Sequence, residues 1–177
     1  MRFKDCGNRF RVVMTLEDGN RFYGILTLPT LSNNRTTDFT NSRRILFVDD
    51  GSLCRVGSVF TTPKKERFLA AFNGVNEYIR SDRKTFLAVR ITDKMTWQRK
   101  TETFDPVSGI PTGEVFEDLG DIWVAFESDR ETEDTLKISK NDFRIVTNAE
   151  LVEGDVIGGK YTVQRVDKNL GVSVAYV

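Results

Sequence analysis

The sequence predicts an all-β protein: one or two small antiparallel barrel or sandwich modules with long loops. Apolar residues alternate at period two through most of the chain, as in FRVVMTLEDGNRFYGILTL at 10–28. Asp-Gly and Gly-Asn turn signals separate these runs at short intervals. No window carries the i, i+3, i+4, i+7 spacing of a good amphipathic helix.

In chain order, 10–28 reads as two strands joined at Asp18-Gly19 or Gly19-Asn20. The polar stretch TLSNNRTTDFTNSRR at 30–44 reads as a long exposed loop. RILFVDDGSLCRVGSVFTTP at 44–63 is strand, turn, strand, with Asp50-Gly51 at the turn, and KKERFLAAF at 64–72 favours another strand. KTFLAVRITDKMTWQRK at 84–100 alternates as one run. TETFDPVSGIPTGEVFEDLG at 101–120 holds two of the four Pro residues and marks a linker or inserted loop. Within it, DPVSG is a turn: Pro106 fixes φ and Gly109 permits a positive one. DIWVAFES at 121–128 is a strand, LKISKNDFRIVT at 136–147 a strand pair or bent strand, and 156–177 closes with two strands around Asn169.

The expected organisation is a basic module over 1–100, the linker or loop at 101–120, and an acidic small barrel over 121–177. A local echo between RVGSVFTTPKKERFLAAF (55–72) and VEGDVIGGKYTVQRV (152–166) fits either two related modules or the ordinary reuse of a β-hairpin.

The chain has 177 residues, enough to bury a sizeable core, and 13 Phe carry most of its aromatic mass. There is no His, which excludes Ser-His-Asp and Cys-His catalysis. Cys6 and Cys54 cannot build a zinc site alone and point to a reducing compartment. The charged N-terminal stretch offers no signal-peptide core, and no apolar run approaches membrane-spanning length.

The formal charge is zero, yet it is divided. Residues 1–100 hold 19 Lys/Arg against 10 Asp/Glu, and residues 101–177 hold 7 against 16. Three explanations fit: internal neutralisation, a basic nucleic-acid face beside an acidic region, or head-to-tail self-assembly.

Local motifs supply no reaction. Asp49-Asp50-Gly51 is better read as a turn than as a metal-binding pair, and ESDRETED at 127–134 lacks the Gly of a calcium loop. The phosphate-loop, dinucleotide and nucleophile-elbow patterns are missing from the sequence. Trp97 beside Arg99 and Lys100 could stack a base or close a core, and Trp123 reads as a buried strand residue. The expectation is a protein without catalytic residues, cofactor or metal.

Gly154-Asp155-Val156-Ile157, then Gly159-Lys160-Tyr161 and an alternating strand, resemble the end of tailed-bacteriophage neck proteins, the stoppers of the head–tail connector. The resemblance covers Asp121–Val177 and leaves the first hundred residues unmatched. It implies a structural virion protein, a homo-oligomeric ring beneath the portal that meets portal or adaptor and tail proteins and touches packaged DNA transiently, with no membrane partner. Alternatives are a tail terminator, a decoration protein, or a nucleic-acid-binding barrel using 80–100. If opposed charges close the ring, the subunit-interface candidates are Glu127, Asp129, Glu131, Glu133 and Asp134 against Arg90, Lys94, Arg99 and Lys100. Arg35, Arg43 and Arg44 are the candidates for a loop facing the channel or a neighbouring ring.

Overall fold

The computed structural model describes residues 11–28, 43–73, 83–128, 143–169 and 171–177, and every regular element among them is a β-strand. β1 (Val12–Leu16), β2 (Arg21–Thr27), β3 (Arg43–Asp49), β4 (Val59–Thr61), β5 (Arg67–Asn73) and β6 (Arg83–Arg90) form a closed barrel in the order β1-β2-β3-β6-β5-β4. Closure comes from β1 pairing with β4 through Thr15–Thr61 and Leu16–Phe60, which leaves no free barrel edge.

Alternation explains the barrel's filling. Phe22 on β2, Leu46 on β3, Phe86 on β6, Phe60 on β4, Phe68 on β5 and Met14 on β1 all point inward and are buried. Phe60 lies at the centre, stacked on Phe68 and edge-on to Phe22, each ring centre 5.7 Å away. Cys54 joins this core as a free thiol, and burial pushes its pKa up to about 12.

The β1–β2 turn falls at Asp18-Gly19 as its sequence demands, with the Asp18 carboxylate accepting from the Asn20 amide at 2.9 Å. Asp50-Gly51 also begins a turn, but not a hairpin. β3 pairs with β2 and β6, and the chain runs from it to β4 on another side of the barrel.

The remaining strands form a seven-stranded sheet. β7 (Asp93–Phe104), β8 (Pro111–Ser128), β9 (Phe143–Thr147), β10 (Val156–Ile157), β11 (Tyr161–Thr162), β12 (Arg165–Asn169) and β13 (Val172–Tyr176) lie in the order β11-β10-β7-β8-β9-β13-β12. Two expectations are corrected here. The second module is this sheet rather than a closed barrel over 121–177, and it begins at β7, so the junction lies at Ile91-Thr92 instead of residue 100. The stretch 101–120, expected as a linker or inserted loop, is the strand-built outer part of the β7–β8 hairpin.

Both faces of the sheet's centre are covered, which accounts for the unbroken run IWVAF. Ile122 and Val124 face a core with Ile145, Leu151, Ile157 and Val163. Ala125, with Val146, Val172 and Val174, packs on the outward residues Val59, Leu69, Ala71 and Val89 of β4, β5 and β6, and on Ile91 just after β6. Barrel and sheet therefore share one apolar interface. Gly57 sits on this seam at φ +86°, and a Cβ there would come within 2.8 Å of the Gly171 carbonyl oxygen.

Candidate functional site

The charges singled out in the sequence are mostly committed within the chain. Arg90 pairs with Glu66 at 3.7 Å, Lys94 with Asp121 at 3.6 Å, Arg99 with Asp155 at 2.9 Å, and Lys100 with Glu114. The described part of the basic stretch, 83–100, is divided between β6 of the barrel and β7 of the sheet. Asp129, Glu131, Glu133, Asp134 and Arg35 lie outside the described residues.

Glu127 is corrected outright as a surface interface residue. Its side chain is 4% exposed and lies between two guanidiniums, Arg43 Nε at 2.6 Å and Arg144 Nε at 3.0 Å. Arg43 is the first residue of β3 and grips Glu127 with two parallel bonds, of 2.6 and 2.7 Å. Burial works against ionisation of Glu127, but the two arginines outweigh it and hold the carboxyl below its usual range. This triad ties the barrel to the sheet. Arg44, also placed in the sequence-predicted loop, is likewise a β3 residue, and its Nη1 donates to the Arg43 carbonyl at 2.8 Å.

A second polar cluster fixes the foot of the β7–β8 hairpin. The Asp155 side chain is fully buried and accepts from Trp97 Nε1 at 2.9 Å, Arg99 Nε at 2.9 Å, Arg99 Nη2 at 3.0 Å and the Val152 amide at 3.0 Å. Burial opposes its charge, while Arg99, the Val152 amide and Trp97 together hold the carboxyl below the ordinary aspartate range. Trp97 is thereby a half-buried structural residue rather than a stacking platform. Trp123 is also half-buried: its Nε1 donates to Glu17 at 2.6 Å, and the Arg67 guanidinium covers its ring at 3.9 Å. Replacing Asp155 with Asn sets an amide NH₂ against several donors. Unfolding free energy is expected to fall by about 2 kcal/mol, measured by urea titration followed by tryptophan fluorescence.

No buried side-chain polar atom among the described residues lacks a partner, and no three potential metal ligands cluster there. Among the described residues, the outer part of the β7–β8 hairpin has no further neighbour in the sheet. β10 pairs with β7 only as far as Gln98, and β9 pairs with β8 from Ala125 onward. Beyond those points Arg99–Phe104 and Pro111–Asp118 pair, among the described residues, only with each other, forming a two-stranded arm about 20 Å long. A bulge between Trp97 and Gln98, opposite Gly120 and Asp118, lies where the arm leaves the sheet.

The tip closes as DPVSG requires. Asp105 accepts from the amides of Val107 at 2.7 Å and Ser108 at 3.3 Å, which lower its pKa, and Gly109 takes φ +67°. Around this turn the arm presents apolar surface to water: Val107 is 94% exposed, Ile110 62% and Phe104 56%, with Val115 and Phe116 farther down. Five carboxylates accompany them, Glu102, Asp105, Glu114, Glu117 and Asp118. Glu102 and Glu114 stand directly opposite one another, and Lys100 pairs with Glu114 alone. Sequence reasoning did not single out this site because its Pro and Gly were read as a linker or inserted loop. The clue was the flanking TETF and EVFEDL, which alternate as strands do.

No protein-family model, curated protein or solved structure matches the chain. Its site is therefore defined by geometry alone. Among the described residues, no helix is long and apolar enough to cross a membrane.

Proposed function

We propose that this chain is a structural, non-catalytic subunit of a larger assembly, and specifically a ring-forming neck protein that joins head to tail in a tailed bacteriophage. The observation that carries the assembly part is the arm. An isolated two-stranded ribbon is only marginally stable in water, and this one holds Val107, Ile110 and Phe104 at its far end, where a second chain can cover them. The neck assignment is supported by the resemblance at Gly154-Asp155-Val156-Ile157 and Gly159-Lys160-Tyr161. These residues form the short β10–β11 hairpin. Asp155 of that motif anchors the foot of the arm through Arg99 and Trp97, so the motif has a mechanical use in this fold.

The nucleic-acid alternative is less favoured on this reading, since Lys84, Arg90, Lys94, Arg99 and Lys100 each have a carboxylate partner in the same chain. The test is gold labelling of a tagged copy incorporated into particles. Label confined to the head–tail junction is expected; label on capsid facets or at the distal tail end would overturn the neck assignment.

A further inference from the structure

We infer that the arm docks on the outer β1–β2–β3 face of the barrel in a second copy of this chain, so that copies join head to tail. The inference deepens the proposed function and rests on it only in requiring that copies meet one another.

The acceptor face is read from the barrel's register. Thr61, Thr15 and Arg21 lie side by side across β4, β1 and β2, pointing outward. The next outward rows are Val13 opposite Tyr23 and Ile25 opposite Phe47. Tyr23 is 61% exposed and Val13 38%, while Ile25 and Phe47 are half-buried. This is an apolar strip on the outside of a barrel whose inside is already filled. Exposed cations border it: Arg21 on β2, and Lys64 and Lys65 in the turn after Thr61. None of these three has a carboxylate partner among the described residues, whereas Lys84, Arg90 and Lys94 do.

The arm is the complement in both respects. It is apolar at the tip, with Val115 and Phe116 exposed on its two faces, and its carboxylates outnumber the two cations at its root. Glu102 lacks a cation among the described residues, and Glu117 and Asp118 are exposed. An apolar strip bordered by these three cations, its one carboxylate on β3, Asp49, already paired with Arg11, thus matches an apolar tip bordered by carboxylates, and complementary fields of that kind fix register and partner choice.

Strand order adds the geometry. In the closed ring β1-β2-β3-β6-β5-β4, β2 stands three places from β5, on the far side of the barrel. β5 is the strand whose Leu69 and Ala71 lie against the sheet that bears the arm. Donor and acceptor are therefore different surfaces of the molecule, the arm of the sheet and the outer face of the barrel. Such a contact is heterologous: it propagates from copy to copy and yields a ring when the rotation closes.

The test uses the full chain. Sedimentation velocity over a wide concentration range is expected to show association beyond a monomer that weakens as salt is raised. Val107→Asp with Ile110→Asp is expected to weaken it by tenfold or more while leaving the circular dichroism spectrum unchanged. Glu114→Lys with Glu117→Lys is expected to weaken it too, and adding Arg21→Glu and Lys65→Glu in the same chain is expected to restore it. A photo-cross-linking residue at position 107 is expected to capture the β2 peptide containing Tyr23 from another copy.

A chain that stays monomeric at every concentration overturns the inference, as does association untouched by the arm variants. Cross-links from 107 to another arm overturn it as well. The two readings fail separately. Label at the neck with a monomer in solution removes this contact and spares the neck assignment; arm-dependent association with label elsewhere does the reverse.

Discussion

Phe60→Ala is expected to destabilise the chain by about 4 kcal/mol, among the costliest single truncations in the barrel. Phe60 is fully buried, and its ring touches both Phe68 and Phe22. It sits on a three-residue strand, β4, that closes the barrel by pairing with β1 on one side and β5 on the other. The lost ring leaves a cavity at the closure itself, where a short strand offers few other bonds to hold the seam. Urea unfolding followed by far-UV circular dichroism measures the effect. Phe60→Leu keeps most of the volume and is expected to cost less than half as much; equal losses for the two variants would show that the seam does not depend on this packing.

Glu127→Ala is expected to cost about 3 kcal/mol, because it removes the anion and leaves Arg43 and Arg144 facing each other in a largely buried site. For a chain of this size that corresponds to a fall in Tm of roughly 6–12 °C. The same residue makes a pH prediction with a definite sign. Its carboxyl is held below the ordinary value of 4.5 in the folded state. Its contribution is therefore fully present above about that pH and disappears as pH falls through the lower folded value. Wild-type stability should drop on the acid side of 4.5, and Glu127→Gln, which cannot titrate, should show a shallower acid limb. A parallel drop in both proteins would assign the acid sensitivity to other carboxylates.

The strands and several turns were legible because they are written locally. The Asp18 side chain and Gly19 make the first turn, and Pro106 with Gly109 makes the arm's tip, each through neighbours in sequence. What was hidden depends on distant partners. The junction at Ile91-Thr92 escaped notice because period-two alternation passes through it unbroken while the two strands join different sheets. The arm was read as a linker or inserted loop on its prolines, although Pro111 opens a strand in a two-stranded ribbon, where a missing N–H is tolerated. Charge sums carried least. The split between halves does exist, but Arg43 and Glu127 are 84 residues apart and bury each other's charge, which no regional count can reveal. The exposed row of Tyr23 and Val13 was equally invisible, since alternation says which residues share a side and not whether that side is covered.

The chain passes from barrel to sheet only once, at Ile91-Thr92, so each module is a continuous stretch of polypeptide. During synthesis the barrel can close while the sheet is still within the ribosome. Until the rest emerges, Leu69, Ala71, Val89 and Ile91 form a greasy flank on the nascent domain. The order of translation thus sets a kinetic hazard that the finished molecule no longer displays. A truncation ending near residue 92 should fold into a barrel, yet clump through the flank that its missing partner was meant to hide.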